Sequence, residues 1–397
     1  MKILMLVPFI PNTAMSGGQT RWYNIIKLLS KKHDITLFTL IKDDTERQFV
    51  LELEKYCVKV KVFYRSKSPW TFRNLILTAF SHYPLLVIRN YSPSVKRAIA
   101  RELDREKYDL IHAETFYVMP HIPKTSVPTI LVEQTIEYQV YKHYVDHEIP
   151  RVLRLIYMVD VMKLKFWEQY YWRKTDQLVA VSDEDKKTMQ KLSPGISVDI
   201  IPNGVDAHHF ANHKARKKSP PRVLYGVANF KWLQNVEAVD ILLDKVWPSV
   251  HALVPKAKLW IVGRLIPERF VKLARKRTDV EITESIPDAR DAFKKASVMV
   301  VPVKGPGGTR LKVFEAMAAG LPVVTTRVGG AGIDLLHGVN VMVADSTEGL
   351  AEHTVTLLKD KKLAAKIAKN GQRFVKQHFD WNVIVKLHDD VYRKALK

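Results

Sequence analysis

The chain of 397 residues has one cysteine, Cys57, and cannot form an internal disulfide. No apolar run reaches the roughly 20 residues that a membrane-spanning helix needs. The first ten residues imitate a signal peptide, but Pro8 and the lack of a small-x-small cleavage site favour a buried first strand. Because Cys57 is the single cysteine, a fold stabilised by internal disulfides is excluded. With 47% hydrophobic residues, the chain can bury more than one core.

Acidic residues are few relative to basic ones. Asp and Glu number 41 against 63 Lys and Arg, which gives a formal net charge of +22. This excess implies an anionic partner, which can be a membrane surface, a nucleic acid or a phosphorylated substrate. Because no zinc finger, RNA-recognition signature or coiled basic region is present, we expect no nucleic acid. Basic and aromatic residues alternate between Tyr141 and Lys174, which suits an anionic leaflet. The alternative is a helix that packs its apolar face inward and leaves its lysines in solvent.

Residues 297–325 read as strand, glycine-rich loop, helix and strand. The apolar run 297–303 predicts a strand, residues 305–310 form the loop, and the apolar periodicity predicts a helix over 311–319 that stops at Gly320. The start of such a helix suits a phosphate, because its first N–H groups are unpaired and the dipole is positive there. Arg310 and Lys312 add positive charge, and Glu315 can accept hydrogen bonds from ribose hydroxyls. This pattern predicts a nucleoside diphosphate site, whereas the glycines alone would fit a generic turn.

The string Gly-Thr-Arg-Leu-Lys, followed by Glu-Ala-Met-Ala-x-Gly, resembles the donor-binding signature of family 4 glycosyltransferases, which are retaining enzymes of the GT-B fold. That family usually has two glutamates separated by seven residues. Here the second is Glu315, but Gly307 stands in place of the first. The resemblance implies donor contacts from Gly307, Gly308, Thr309, Leu311 and Glu315. It also implies that Arg310 and Lys312 are catalytic.

The same resemblance extends to other loops of the carboxy half. Asn229 and Lys231 stand where relatives place a phosphate-contacting basic residue, so we predict Asn229 as donor-binding and Lys231 as catalytic. Ile286 stands where the family recognises the nucleotide base through backbone groups. A carboxylate pair that would hold a divalent ion beside the diphosphate is not evident, so we expect no metal and no cofactor beyond a UDP- or GDP-linked substrate.

The amino half repeats the alternation of strands and helices. After a first strand over 3–7, Gly17 and Gly18 precede a helical pattern, and family 4 enzymes carry a glycine-rich loop here, so we predict donor contacts from both glycines. His112 lies at the end of a later predicted strand, where side chains can face the same crevice. We predict His112 as catalytic, although a structural role is the common alternative. Gln134, where relatives often have His, and Glu137 are predicted to bind the acceptor. Gln cannot take a proton, so we expect electrostatic catalysis, with the leaving phosphate deprotonating the acceptor.

These observations predict an α/β protein of GT-B architecture, with two Rossmann-like doubly wound domains facing a central cleft. We expect an acceptor-binding domain over 1–203, a linker over 204–222, a nucleotide-sugar-binding domain over 223–379 and a terminal helix over 380–397 that crosses back to the first domain.

The predicted function is retaining transfer of a sugar from a nucleotide-sugar to a hydroxyl of a lipid-linked or polysaccharide precursor. The expected location is cytoplasmic and peripheral to an anionic inner membrane face. A non-hydrolysing sugar-nucleotide epimerase and a silent nucleotide-sugar-binding protein are the alternatives.

Overall fold

A computed structural model describes residues 1–13, 16–213, 220–305, 307 and 310–397. The chain divides into two compact units. Unit 1 comprises Met1–Pro202 and Ile384–Lys397, and unit 2 comprises Asn203–Val383. The predicted donor contacts Gly308 and Thr309 lie outside the described residues, as does the part of the predicted linker over 214–219. The roles assigned to the two domains from sequence stay predictions.

Unit 1 is built on a seven-stranded parallel sheet in the order β3-β2-β1-β4-β5-β6-β7. Its central strands are almost continuous apolar runs, which is typical of parallel strands that are covered on both faces. The order reverses at β1, so the switch point lies between β1 and β4. The strands are β1 Lys2–Val7, β2 Asp34–Ile41, β3 Lys59–Tyr64, β4 Leu110–Glu114, β5 Thr129–Glu133, β6 Gln177–Ala180 and β7 Val198–Ile200.

The helices of unit 1 connect these strands, and the first of them, at Gly17–Leu29, has the helical spacing of apolar residues that its sequence predicted. Trp22, Ile25, Ile26 and Leu29 recur at helical spacing and are all buried. The helices of this part of the chain are α1 Gly17–Leu29, α2 Val50–Leu53, α3 Phe72–Phe80, α4 Leu85–Asn90, α5 Pro93–Arg105, α6 Glu137–Glu148, α7 Arg154–Lys174 and α8 Asp183–Leu192, with 3₁₀ turns at Asp44–Phe49, Phe116–His121 and Arg151–Leu153.

Unit 2 is built on a six-stranded parallel sheet in the order β10-β9-β8-β11-β12-β13. The order reverses at β8, so the loops after β8 and β11 flank the switch point, where α/β sheets bind ligands. The strands are β8 Arg222–Asn229, β9 Lys258–Arg264, β10 Val280–Thr283, β11 Val298–Val301, β12 Val323–Thr325 and β13 Met342–Val343.

The strand–helix–strand unit predicted near residue 310 is present as β11, helix α14 and β12. Helix α14 ends at Ala318, and Gly320, at a φ of +73°, continues the chain in the left-handed region. The helices of unit 2 are α9 Ala207–Ala211, α10 Leu233–Ile241, α11 Trp247–Leu253, α12 Glu268–Arg275, α13 Ala289–Lys295, α14 Leu311–Ala318, α15 Thr347–Lys359 and α16 Lys361–His378, with a π-helical turn at Leu242–Val246.

The tail forms two helices where the sequence pattern predicted one. The short α17 spans Trp381–Ile384, and α18 spans Lys386–Ala395. Helix α18 belongs to unit 1 and packs near β5 and β6. Its buried face carries His388, Val391 and Tyr392. No helix in the described ranges is both long and apolar enough to cross a bilayer.

Candidate active site

The start of α14 in unit 2 has the features expected of an anion site. Arg310 is the N-cap residue, but its side chain makes no capping hydrogen bond, and the first turn has no acidic residue. The positive end of the helix dipole is therefore not offset by a carboxylate. A phosphate placed there would meet backbone N–H groups and two cationic side chains.

Gly307 adopts a backbone conformation that side chains rarely take. Its φ is +128°, and a Cβ built on it would lie 3.2 Å from Arg310 Nη1 and 3.3 Å from Gln234 Nε2. Arg310 also donates from Nη2 to the Gly305 carbonyl at 3.1 Å. A glutamate at position 307, which the resemblance would lead one to expect, would thus strain the backbone at this residue.

Lys312 is held by a polar network from β8 and α10. Its Nζ donates to Asn235 Oδ1 at 2.7 Å, and the ammonium lies 4.6 Å from the centre of the Tyr225 ring. The Tyr225 hydroxyl donates to the same Oδ1 at 2.9 Å. Asn235 Nδ2 in turn donates to the Asn229 carbonyl at 2.8 Å, which fixes the orientation of the amide. Lys312 is therefore positioned before any ligand arrives.

Lys312 and Glu315 are titratable near neutral pH. Burial, with a contribution from the Arg310 charge, lowers the pKa of Lys312 to about 7. Burial also raises the pKa of Glu315 to about 7, although the charge of Lys312 opposes the shift. Within the described part of the chain, no side chain donates a hydrogen bond to the Glu315 carboxylate. An anion bound nearby would favour the ammonium form of Lys312, and hydrogen-bond donors bound at Glu315 would favour its carboxylate form.

The other predicted donor residues of unit 2 fall into two groups. Asn229 ends β8, beside the Lys312 network, and its Oδ1 accepts from the Lys231 backbone N–H at 3.0 Å. Lys231 itself is exposed, and Leu311 is the half-buried first residue of α14. Ile286 follows β10 at the edge of the sheet, two strands from β8. Asn229, Lys231 and the α14 residues therefore lie at the switch point, whereas Ile286 lies further along the same sheet, and its predicted contact with the base stays a prediction.

In unit 1, Gly17 and Gly18 open α1 after the N-cap Ser16. A Cβ on Gly18 would lie 2.7 Å from Gln134 Oε1, so only glycine allows this close approach. Gln134 Nε2 donates to Glu114 Oε2 at 3.2 Å. The predicted glycine loop and the predicted acceptor residue Gln134 are therefore in direct contact.

His112 lies inside the core behind this contact. It is 0% exposed; its Nε2 donates to Glu114 Oε1 at 3.2 Å, and its Nδ1 pairs with the Tyr392 hydroxyl at 2.7 Å. Both ring nitrogens are therefore occupied by groups of the protein. The catalytic role of His112 stays a prediction, and the contacts that the structure shows for the ring are those with Glu114 and Tyr392.

Glu114 is the centre of this network. It accepts from His112, from Gln134 and from Trp22 Nε1 at 2.8 Å. Burial alone would raise the pKa of Glu114, but the hydrogen bond from His112 and the charge of Arg21 hold the pKa below its usual value. Glu114 thus stays charged and orients the Gln134 amide.

Glu137 lies in a group of carboxyl side chains after β5. Tyr117 donates to Glu137 Oε2 at 3.0 Å, and burial raises the pKa of Glu137 to about 7. The Glu168 carboxylate accepts from the backbone N–H groups of Glu137 and Tyr138 at 2.7 and 3.2 Å, and so caps α6 from a neighbouring helix. Burial and then the charge of Glu168 raise the pKa of Glu133.

The sequence reading missed the side chains that hold these residues. Asn235 and Tyr225 orient Lys312, Glu168 supports Glu137, and Tyr392 pairs with His112. Each partner is far from its residue in sequence and is brought near by the strand order or by the returning tail. No local motif marks them.

Each unit contains a doubly wound parallel sheet, and unit 2 has a cationic helix start at its switch point. These features define an α/β protein of the nucleotide-binding type. Comparison with protein families agrees with this class. A model of glycosyltransferase family 4 matches residues 15–209, and a model of glycosyl transferases group 1 matches residues 221–360. The chain belongs to the family 4 glycosyltransferases of the GT-B fold, and it is an enzyme, a transferase.

Several relatives are distant in sequence but match nearly the whole chain. An uncharacterized 44.6 kDa protein in the cps region of Klebsiella pneumoniae is 22% identical over 391 residues, which is 96% of each protein. Sucrose-phosphate synthase from Thermosynechococcus elongatus has a TM-score of 0.70 at 19% identity, over 99% of this chain and 98% of that one. Alr3699/HepE from Anabaena, solved with UDP and glucose, has a TM-score of 0.63 at 18% identity, over 98% of each chain. These structures confirm the predicted fold of two Rossmann-like domains.

Proposed function

We propose that the protein transfers a sugar from a UDP- or GDP-linked donor to a hydroxyl of a saccharide or lipid-linked acceptor, with retention of the anomeric configuration. The observation that carries the proposal is the start of α14, where Arg310, Lys312 and Glu315 meet at the switch point of unit 2. A structural neighbour of the same fold binds UDP and glucose, and this supports a nucleotide-sugar donor.

In this proposal, unit 2 holds the donor. The diphosphate lies at the N-terminus of α14, where Arg310 and Lys312 balance its charge, and Lys231 adds a further cation from the loop after β8. Glu315 accepts hydrogen bonds from the ribose hydroxyls, and Ile286 supplies backbone contacts to the base. Preorganised cations of this kind stabilise the leaving diphosphate as the sugar–oxygen bond breaks. The chain supplies this charge itself, so the proposal invokes no metal.

Unit 1 would hold the acceptor. Gln134 and Glu137 offer an amide and a carboxyl group to its hydroxyls. Because an amide cannot take a proton, the proton of the attacking hydroxyl passes to an oxygen of the departing diphosphate while the new bond forms on the same face of the sugar. The proposal thus explains retention without a base at Gln134.

The location that we propose is cytoplasmic and peripheral, at an anionic membrane face. The net charge of +22 supports attraction to such a surface. A lipid-linked acceptor would lie at this surface, whereas a soluble saccharide would not require it.

Incubation with a panel of nucleotide-sugars tests the reaction. We expect slow donor hydrolysis, or transfer when an acceptor is supplied, and NMR of the product should show the anomeric configuration of the donor. A changed sugar on the nucleotide would indicate an epimerase, and binding without turnover would indicate a silent binding protein. Either result would overturn the proposal. An inverted product would overturn only the retaining mechanism.

A further inference from the structure

Helix α3 in unit 1 has the reverse of the usual orientation of a surface helix, because its apolar residues are exposed and a polar residue is buried. Its nine residues, FRNLILTAF, include a single charge, and its only buried residue is Asn74. Phe72 is 79% exposed and Phe80 is 90% exposed. A helix that is apolar on all sides is normally buried in a core or in a membrane. Here the apolar side chains face away from the protein.

Asn74 fixes this orientation. Its Nδ2 lies within hydrogen-bonding distance of Ser66 Oγ at 3.0 Å and of the Ser68 and Pro69 carbonyls at 3.1 Å each. Thr71 caps the helix by accepting from the Asn74 backbone N–H at 3.2 Å. The polar face therefore forms hydrogen bonds with the preceding loop, and these bonds leave the apolar face exposed.

Helix α7 extends the same exposed surface. Lys163 Nζ donates to the carbonyls of Thr78 and Ser81, at 2.7 and 2.8 Å, and so satisfies the carboxyl end of α3. Trp70 and Tyr157 bring their rings within 5.6 Å, which ties the loop before α3 to α7. We call the exposed side chains of residues 70–80 and 152–166 the α3–α7 face. On α7 it includes Leu155 at 81% exposure, Ile156 at 69% and Phe166 at 61%.

The charge around this face is mostly positive. No Asp or Glu occurs between Glu54 and Glu102 in the sequence. On α7, Asp160 and Glu168 are both buried, and Asp160 accepts from the Leu85 backbone N–H at 3.0 Å. Exposed cations of the surroundings are Lys67, Arg73, Arg151, Arg173 and Lys174, and Glu148, before Arg151, is an exposed acidic residue. The face therefore suits a partner that is apolar and negatively charged.

We propose that the α3–α7 face inserts into an anionic lipid leaflet. Phe72, Ile76 and Phe80 would enter the boundary between headgroups and acyl chains, while Arg73 and Lys67 would contact anionic headgroups. A second copy of the chain is a poorer partner, because it would bring the same positive charge to the contact. The inference goes beyond the proposed transfer reaction and does not depend on it.

The placement differs from the sequence expectation in its residues. The alternating stretch between Tyr141 and Lys174 suggested a basic, aromatic contact, but Tyr171 and Trp172 are buried and Lys163 binds carbonyls within the protein. The apolar contribution comes both from α3, outside the predicted stretch, and from the exposed Leu155, Ile156 and Phe166 of α7, inside it. Insertion therefore predicts a component of binding that salt does not remove, whereas purely electrostatic attachment would fade as salt screens it.

Flotation of the full chain with vesicles tests the proposal. The wild type should bind vesicles of phosphatidylcholine with about a quarter phosphatidylglycerol, and a fraction should stay bound in about 1 M salt. The double variant Phe72→Ser/Phe80→Ser should lose at least about tenfold in partition coefficient. The matched control is Leu51→Ser, because Leu51 on α2 is 73% exposed but lies outside the face. All three positions, Phe72, Phe80 and Leu51, are exposed, so thermal melts should match the wild type.

A fluorescent label reports the depth of the contact. Burial raises the pKa of the Cys57 thiol to about 12, so a cysteine introduced at the surface should react with an environment-sensitive dye selectively. The dye on Ile76→Cys should shift to the blue with anionic vesicles, whereas the dye on Leu51→Cys should not. Four results would overturn the proposal: no vesicle binding, equal loss in Leu51→Ser, binding without a shift at position 76, or a shift that grows with protein concentration in the absence of lipid. The last of these would indicate self-association.

Discussion

Raising the pH from 7 to 8.5 should weaken the binding of a nucleoside diphosphate to this protein about eightfold, since the pKa values of Lys312 and Glu315 both lie at about 7. The perturbation acts on the free protein. At pH 7, about half of the Lys312 side chains are protonated and about half of the Glu315 side chains are ionised, so about a quarter of the molecules have both charges. At pH 8.5 only about 3% of the Lys312 side chains keep the proton, and this fraction then limits binding.

The sign follows from which form the ligand prefers. The diphosphate favours the ammonium form of Lys312 and raises its pKa toward the ordinary value, so binding takes up a proton. Ribose hydroxyls favour the carboxylate form of Glu315 and lower its pKa, so this residue releases a proton. Between pH 7 and 8.5 the ionised fraction of Glu315 rises about twofold, whereas the protonated fraction of Lys312 falls about sixteenfold, so the uptake by Lys312 dominates. The loss of about 1.2 kcal/mol corresponds to the eightfold change.

Isothermal titration calorimetry with UDP and with GDP measures both quantities. Affinity at the two pH values gives the ratio, and titrations in two buffers of different ionisation enthalpy give the number of protons taken up. The control is Lys312→Arg, which stays charged throughout this range, so it should bind about twofold tighter at pH 8.5 as Glu315 ionises. Wild-type affinity that is flat from pH 7 to 8.5, with no proton uptake, would refute the placement of the diphosphate beside Lys312.

Four further predictions concern the two candidate sites. Glu315→Gln should weaken nucleoside diphosphate binding by about 1.5–3 kcal/mol, measured by calorimetry on the folded variant. An unchanged affinity would contradict the ribose contact. Arg310→Ala should lower turnover on the order of 10²–10³-fold at saturating donor, and a wild-type rate would remove Arg310 from leaving-group stabilisation. Gly307→Glu should lower both the melting temperature and turnover, because the φ of +128° strains any side chain there; improved turnover would contradict the strained loop. Gly18→Ala should raise the acceptor KM with little change in melting temperature, because its Cβ would displace the Gln134 amide, and in a Gln134→Ala background the same change should have almost no effect.

The parts of the fold that sequence could predict are those encoded by local patterns. The apolar strand, loop and helix near Arg310 were expected over residues 297–319, and the structure has β11 at Val298–Val301 and α14 at Leu311–Ala318. Periodicity of 3.6 residues and a following Gly320 were sufficient, because a helix and its ends depend on neighbouring residues. The phosphate-type loop is recognisable for the same reason.

The supporting contacts could not be predicted, because they depend on strand order. Lys312 meets Asn235 only because β8 and β11 are neighbours in the sheet, although 77 positions separate the two residues. His112 looked like a strand-end residue, but the return of α18 encloses it and Tyr392 occupies its ring. A single sequence does not encode which distant element covers a strand end.

Helix α3 shows a different limit of sequence reading. Its apolar composition would be assigned to a core by any hydrophobicity pattern. The exception arises because Asn74 has three acceptors within the preceding loop, which turns the polar side inward. The orientation of a helix is decided by such specific contacts when its apolar residues cover every side.

The two candidate sites differ in charge, and this difference bears on the cause of the protein's net positive charge. The site in unit 2 presents Arg310 and Lys312, which favour a diphosphate. The site in unit 1 presents Glu137, backed by the buried Glu133 and Glu168. Burial raises the pKa values of all three carboxyl groups, which can hold hydroxyl groups but add no positive charge for a diphosphate. Donor recognition therefore needs only a few cations in one loop, and it does not account for an excess of 22 positive charges over the whole chain. We propose that the excess serves a partner with an extended negative surface, and the α3–α7 face, which is apolar and bordered mostly by cations, is suited to such a partner.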